Sequence, residues 1–148
     1  LENIHGRLPI DMPSEGYPNV WMGVTVESDK YLWRIEELLK IPAAVRFASL
    51  EPMLGGMDIH PYLTGIKAGF GPEYGVTEYD APYLNWVIVG AESGPKRRPC
   101  KLKWVRNIKD QCYDPGTPLF IKQLDIDGKL SKNPDGWPED LRIRQWPE

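Results

Sequence analysis

Cysteine and histidine are scarce, with two of each among 148 residues. Cys100 and Cys112 form no CxxC, and His5 and His60 stand in unrelated contexts, so these four residues alone do not spell a metal site. Two cysteines can pair in a secreted protein, but that count is equally ordinary in a reducing cytosol, and no structural disulfide is expected. No apolar run approaches the roughly 20 residues a membrane helix needs. A charged-then-apolar secretory leader and a short tandem repeat are missing too. The net charge of −3 excludes a wholly basic nucleic-acid domain, though not a local patch.

What remains is a soluble globular composition, 41% hydrophobic and 26% charged. The length suits one domain with a real core, expected here over 1–148, in the cytoplasm. The chain begins at Leu1 rather than at a methionine, so a fragment of something longer is expected. The 15 prolines punctuate segments, as at Pro42, Pro52, Pro61 and Pro118, and form no low-complexity tract.

Between these marks a rhythm emerges. Irregular chain opens the sequence, then "NVWMGVTVES" (19–28) reads as a strand from its Val, Trp and Thr content. A helix follows over 29–40, capped by Ser28 or Asp29, with Leu32, Ile35 and Leu39 on one stripe and Pro42 beyond its end. "VRFASLEPML" (45–54) is strand-like again. Residues 55–83 are rich in Gly, Tyr and Pro and predict a long excursion, with one short helix near Tyr62–Ile66. The almost wholly apolar "LNWVIVGAE" (84–92) predicts a strand buried on both faces. A helix over "KLKWVRNIKDQCYD" (101–114) carries Leu102, Val105, Ile108 and Cys112 on one side, and "LFIKQLD" (119–125) is the fourth strand. The rest, 125–148, reads as loops. Such alternation implies α/β architecture with parallel βα units. Four strands cannot close a conventional barrel, so a half-barrel, a small open sheet, or the second half of a larger (β/α) enzyme remain open.

In parallel α/β folds the ligand end is the carboxyl end of the strands. Three strands end at a carboxylate: Glu27, Glu51, and Glu92 with Ser93 beside it. The fourth ends at Lys122 and Gln123. Converging carboxylates shift one another's pKa, so one can stay protonated as an acid, or they can bind an amine or a metal. The plainer reading is that each Glu caps a helix or pairs with an arginine. By position, Glu51, Glu92 and Lys122 are the candidate catalytic residues, and Glu27, Ser93 and Gln123 the candidate cofactor contacts.

The turn "VGAESGPK" is not a phosphate loop. Gly90 and Gly94 are one residue too close for G-x-x-x-x-G-K-[ST], Pro95 lacks a donor, no hydroxyl follows Lys96, and Glu92 would repel phosphate. Behind it, 96–109 holds seven of the 18 basic residues and no acid, which leaves 11 against 21 acidic residues elsewhere. This segment is either the solvated face of a helix or a nucleic-acid contact through Arg97, Arg98, Lys103 and Arg106, with Trp104 free to stack.

Five blocks in order, "NVWMGVTVES", "PAAVRFASLEPML", "NWVIVGAESGPKRRP", "WVRNIKDQC" and "PLFIKQ", resemble a phage and prophage family known for a three-cysteine motif near the N-terminus. Its members look like radical S-adenosylmethionine enzymes of unknown substrate. The resemblance implies that the chain is the C-terminal part of an incomplete (β/α) barrel with a long irregular insertion and a loop-rich C-terminus. It also implies that the cysteines holding an iron–sulfur cluster lie upstream, that the isolated fragment is inactive, and that the strand-end residues face S-adenosylmethionine and substrate. Rival readings are a nucleic-acid-binding module built on 96–109 and a hydrolase or lyase with Glu51 or Glu92 as base. An unpaired sheet edge would invite a homodimer.

Overall fold

The computed structural model describes residues 8–70, 76–80 and 82–148. Its centre is a five-stranded sheet. The strands are β1 (Trp21–Thr25), β2 (Val45–Leu50), β5 (Trp86–Gly90), β6 (Leu119–Ile126) and β7 (Lys129–Ser131), in that spatial order. The first four are parallel neighbours, as the rhythm of the sequence predicts, and β7 runs antiparallel to β6. A separate antiparallel hairpin joins β3 (Ile66–Phe70) to β4 (Val76–Asp80). The excursion thus contains a hairpin that was not expected, and its short helical turn falls at His60–Tyr62, a little before the expected Tyr62–Ile66. His5 and residues 71–75 of the excursion lie outside the described residues.

One face of the sheet is covered and the other carries no helix among the described residues. In register across the strands lie Val24, Ala48, Val87 and Leu119, and all four are buried. They share a core with Ile35, Leu38 and Leu39 of α1 (Trp33–Leu39) and with Val105, Ile108 and Cys112 of α2 (Leu102–Tyr113). Each fully buried Val, Leu or Ile of this layer contributes about 1.5–3 kcal/mol by leaving water. The period-2 alternation that buries this row sends Trp21, Phe47, Trp86 and Phe120 to the opposite face. There Trp86 makes edge contacts with Trp21 and Phe120, with ring centroids 5.9 and 6.0 Å apart.

The tail departs from the expected loops. Asp127 and Gly128 both take positive φ (49° and 75°), the two-residue turn that closes a β6–β7 hairpin. Trp137 and Leu141 are buried in the core. The chain then lies back along β6, where Ile121 N–H donates to Ile143 O (2.9 Å) and Gln145 N–H to Leu119 O (2.9 Å). The outer edge of β6 is therefore covered, whereas β1 ends the sheet with no strand beyond it among the described residues. No helix among the described residues is long and apolar enough to cross a membrane.

Candidate functional site

The parallel register decides which strand ends meet. Thr25 is opposite Ser49, and Leu50 is opposite Val89, so Glu27, Glu51 and Gly90 follow side by side as β1, β2 and β5 end. The next pairing, Gly90 with Gln123, has slipped by one residue relative to Val89 with Ile121. Lys122 is the extra residue of this β-bulge. A bulge re-aims side chains, and bulges recur beside active sites. Here it delivers both Lys122 and Gln123 to one carboxylate.

That carboxylate is Glu51. It reaches across β5 to β6, accepting from Lys122 Nζ at 3.0 Å and from Gln123 Nε2 at 3.2 Å. The path exists because position 90 has no side chain: a Cβ there would lie 2.8 Å from Glu51 Cδ. Gln123 is 2% exposed, and its amide also donates to Ala91 O at 2.5 Å, so it holds Glu51 from the buried side. Arg144, from the returning tail, donates to the carbonyls of Ile121 (3.4 Å), Lys122 (3.3 Å) and Lys132 (2.8 Å). It thereby serves the carbonyls around the bulge.

The other two strand-end glutamates are tied to arginines close by in sequence. Glu92 accepts from Arg98 Nε (2.8 Å), Arg98 Nη2 (2.6 Å) and the Arg98 backbone N–H (2.7 Å). Those hydrogen bonds to the charged form hold its pKa down at about 2. The hydrogen bond to Glu92, with the charges of Glu92 and Glu27, raises the Arg98 pKa in turn. Glu27 pairs with Arg34 of α1 at 2.9 Å, and the same nitrogen of Arg34 donates to Thr25 O at 2.8 Å. Ser93 is exposed one residue beyond Glu92, with no hydrogen-bond partner among the described residues. Of the six candidates, then, the structure joins Glu51, Lys122 and Gln123 directly. It places Glu27, Glu92 and Ser93 on the same rim with separate partners.

Gly90, Arg98, Arg34 and Arg144 complete the rim; none was singled out as a strand-end site residue by the sequence, and Arg98 was named only as a nucleic-acid contact. A signal existed for two of them. Arg34 and Arg98 stand seven and six residues after the glutamates they bind.

The basic segment is largely engaged. Arg97 donates to Gly128 O, Arg98 holds Glu92, and Arg106 binds Asp140 at 2.8 and 3.2 Å with Lys109 also within 3.6 Å. Lys101 lies over Trp104, with its ammonium 5.4 Å from the ring centroid. Lys96 and Lys103 are exposed, with no ion-pair partner among the described residues.

The cysteines sit on the covered side, both free and buried. Burial pushes their thiols up, to about 11 for Cys100 and about 12 for Cys112. The described residues contain no group of three His, Cys, Asp or Glu placed to hold a metal. An iron–sulfur cluster therefore does not fit the residues described. Two open grooves of about 620 Å³ lie elsewhere. One is lined by Tyr83, Asn85, Thr117 and Trp146 near the amino ends of β5 and β6, and the other by Glu36, Leu39, Tyr62 and Pro82. Neither includes the strand-end cluster, so convergence of polar groups, not concavity, marks the candidate site.

The arrangement is that of an α/β protein with a mostly parallel sheet whose polar groups gather at the carboxyl ends of the strands. The chain belongs to the protein family of unknown function DUF5131, whose family model matches residues 2–135. That span contains all six candidate residues and stops before Arg144. No curated protein and no solved structure matches the chain.

Proposed function

We propose that this chain is the C-terminal part of a phage-derived, radical-S-adenosylmethionine-like protein, supplying the later strands of a partial (β/α) barrel and one wall of its cofactor and substrate cleft. The observation that carries this reading is the Glu51–Lys122–Gln123 cluster, assembled from β2 and β6 across the bare Gly90 of β5. The helix-free aromatic face supports it, since in a barrel that face would line the interior. The cluster ligands would come from cysteines preceding this segment, because the residues described here offer none. Such a cluster, with bound S-adenosylmethionine, supplies radical chemistry.

Within that reading the residues of this chain bind and orient. Glu51, fixed by Gln123, holds the ammonium of Lys122, which donates to the ligand's oxygens. Glu92 acts through Arg98, and Glu27 through Arg34, by shaping the rim. Ser93 offers a free hydroxyl beside them. Free cysteines accord with a reducing, cytoplasmic setting. The open edge of β1 would receive the preceding barrel strands or, in the isolated segment, a second copy.

The test uses the longer form carrying the upstream cysteines, reconstituted anaerobically. The expected result is iron binding and cleavage of S-adenosylmethionine; a clean preparation that does neither overturns the proposal. The rival nucleic-acid reading retains only the exposed Lys96 and Lys103 and the stacked Lys101. It requires salt-dependent binding that weakens when Arg97, Arg98 and Arg106 are reversed in charge.

A further inference from the structure

Two of the three ion pairs of the rim are asymmetric, whereas Glu27 and Arg34 are about equally exposed. In Glu51–Lys122 the carboxylate side chain is 18% exposed and the lysine 55%. In Glu92–Arg98 the values are 24% and 59%. In both pairs the acid is inside and the base outside. Each buried-side oxygen already accepts from Gln123, a backbone N–H or its arginine. What the rim presents to a ligand is therefore donor hydrogens. Lys122 has three, of which one is directed at Glu51. Arg98 keeps its Nη1 group clear of the Glu92 contacts.

The placement of Lys122 is also built rather than incidental. A regular ladder would place Lys122, not Gln123, opposite Gly90; the bulge inserts Lys122 between Ile121 and Gln123 at the end of β6. Arg144 holds the carbonyl of Lys122 itself. Glu51 then stops the ammonium from wandering while leaving its other donors outward.

We infer that this rim binds an oxyanion, the phosphate or carboxylate group of a small molecule, through the outward donors of Lys122. The inference rests on reading the carboxyl ends of the strands as the ligand side, and on nothing about the radical chemistry. Exposed charges interact weakly, so an inorganic anion alone should bind with a dissociation constant on the order of millimolar.

The test is an NMR titration of the 148-residue chain with pyrophosphate in one arm and succinate in the other, at low salt. Expected are shifts of the amides of Gly90, Ala91, Lys122 and Gln123, with the stronger arm naming the source of the oxyanion. Lys122→Gln should weaken binding roughly fivefold. Lys40→Gln, at the far end of α1, should leave it unchanged. Glu51→Gln keeps the shape, frees the ammonium and should tighten binding. Shifts spread over all surface lysines, or equal binding by Lys122→Gln, overturn the inference, as does loss of binding in Glu51→Gln. Failure of S-adenosylmethionine cleavage in the longer form leaves this result untouched, so the two proposals fail separately.

Discussion

Gly90→Ala isolates the step that lets Glu51 cross β5. The added Cβ would stand 2.8 Å from Glu51 Cδ and 3.0 Å from both Cγ and Oε1. No Cβ is tolerated at 2.8 Å, so the glutamate must swing away and release Lys122 and Gln123. The clash meets the far end of a flexible side chain, so it falls at the low end of overpacking, about 1 kcal/mol. The lost hydrogen bond to the Gln123 amide adds about 1 kcal/mol. The exposed lysine adds little, because such pairs contribute about 0–1 kcal/mol. Against this stands the stiffening of the unfolded chain, about 0.4–1 kcal/mol in favour of alanine, since Gly90 is not among the positive-φ residues. The net expectation is a loss of about 1–2 kcal/mol, read by urea unfolding. The decisive measurement is the same substitution in a Glu51→Ala background. With the clashing group gone, only the unfolded-state effect remains, and Gly90→Ala should become neutral or stabilising. An equal cost in both backgrounds refutes the crossing of Glu51 over Gly90.

Three further outcomes follow from the same geometry. Glu92 carries a folded-state pKa of about 2 against an ordinary 4.5, so its contribution is full above pH 4.5 and is lost as pH falls toward 2. In Arg98→Met the carboxyl 13C titration of Glu92 should move back up to the ordinary range, and a midpoint still near 2 would contradict the pairing. Cys100 and Cys112, with thiols pushed up to about 11 and 12, should resist a thiol reagent at pH 8, where about one in a thousand Cys100 side chains is ionised. Their raised values also mean that stability declines as pH rises above 9; rapid labelling of the folded protein would count against this burial. Arg144→Met should lower the melting temperature by about 3 °C, for roughly 1 kcal/mol, and shift the Lys122 and Gln123 amides. Unchanged amides would separate Arg144 from the bulge.

The four parallel strands were legible because apolar, β-branched stretches ending at Pro, Gly or Glu leave few alternatives. The helix over 101–114 was legible because Leu102, Val105, Ile108 and Cys112 repeat at helical spacing, and the latter three are buried as that stripe requires. The β3–β4 hairpin was not. Gly69 interrupts "IKAGF", and a weak alternation among glycines and tyrosines carries no period to read. The β6–β7 hairpin was readable in principle from Asp127-Gly128, but the short β7 gives only "KLS" after it. At the site, residue types at strand ends could be read, and partners could not. Whether Glu51 meets Lys122 depends on a register slip between Val89 and Gly90 that no local pattern encodes.

Distance along the chain separates the three glutamates in kind. Glu27–Arg34 and Glu92–Arg98 are local pairs, seven and six residues apart, that close a strand onto its following helix or loop. Such pairs close only short loops and steady the rim. Glu51 and Lys122 are 71 residues apart and meet only when β2, β5 and β6 are all in register. For stability that contact is a poor exchange: a half-exposed ion pair contributes little, while a bulge gives up a ladder position. A core strand end would be steadier with the ladder continued and an apolar residue at 122. Arg144 and Gly90 are both arranged around keeping the costlier alternative. Stability alone does not account for that arrangement, which is the ground for the proposed ligand role of Lys122.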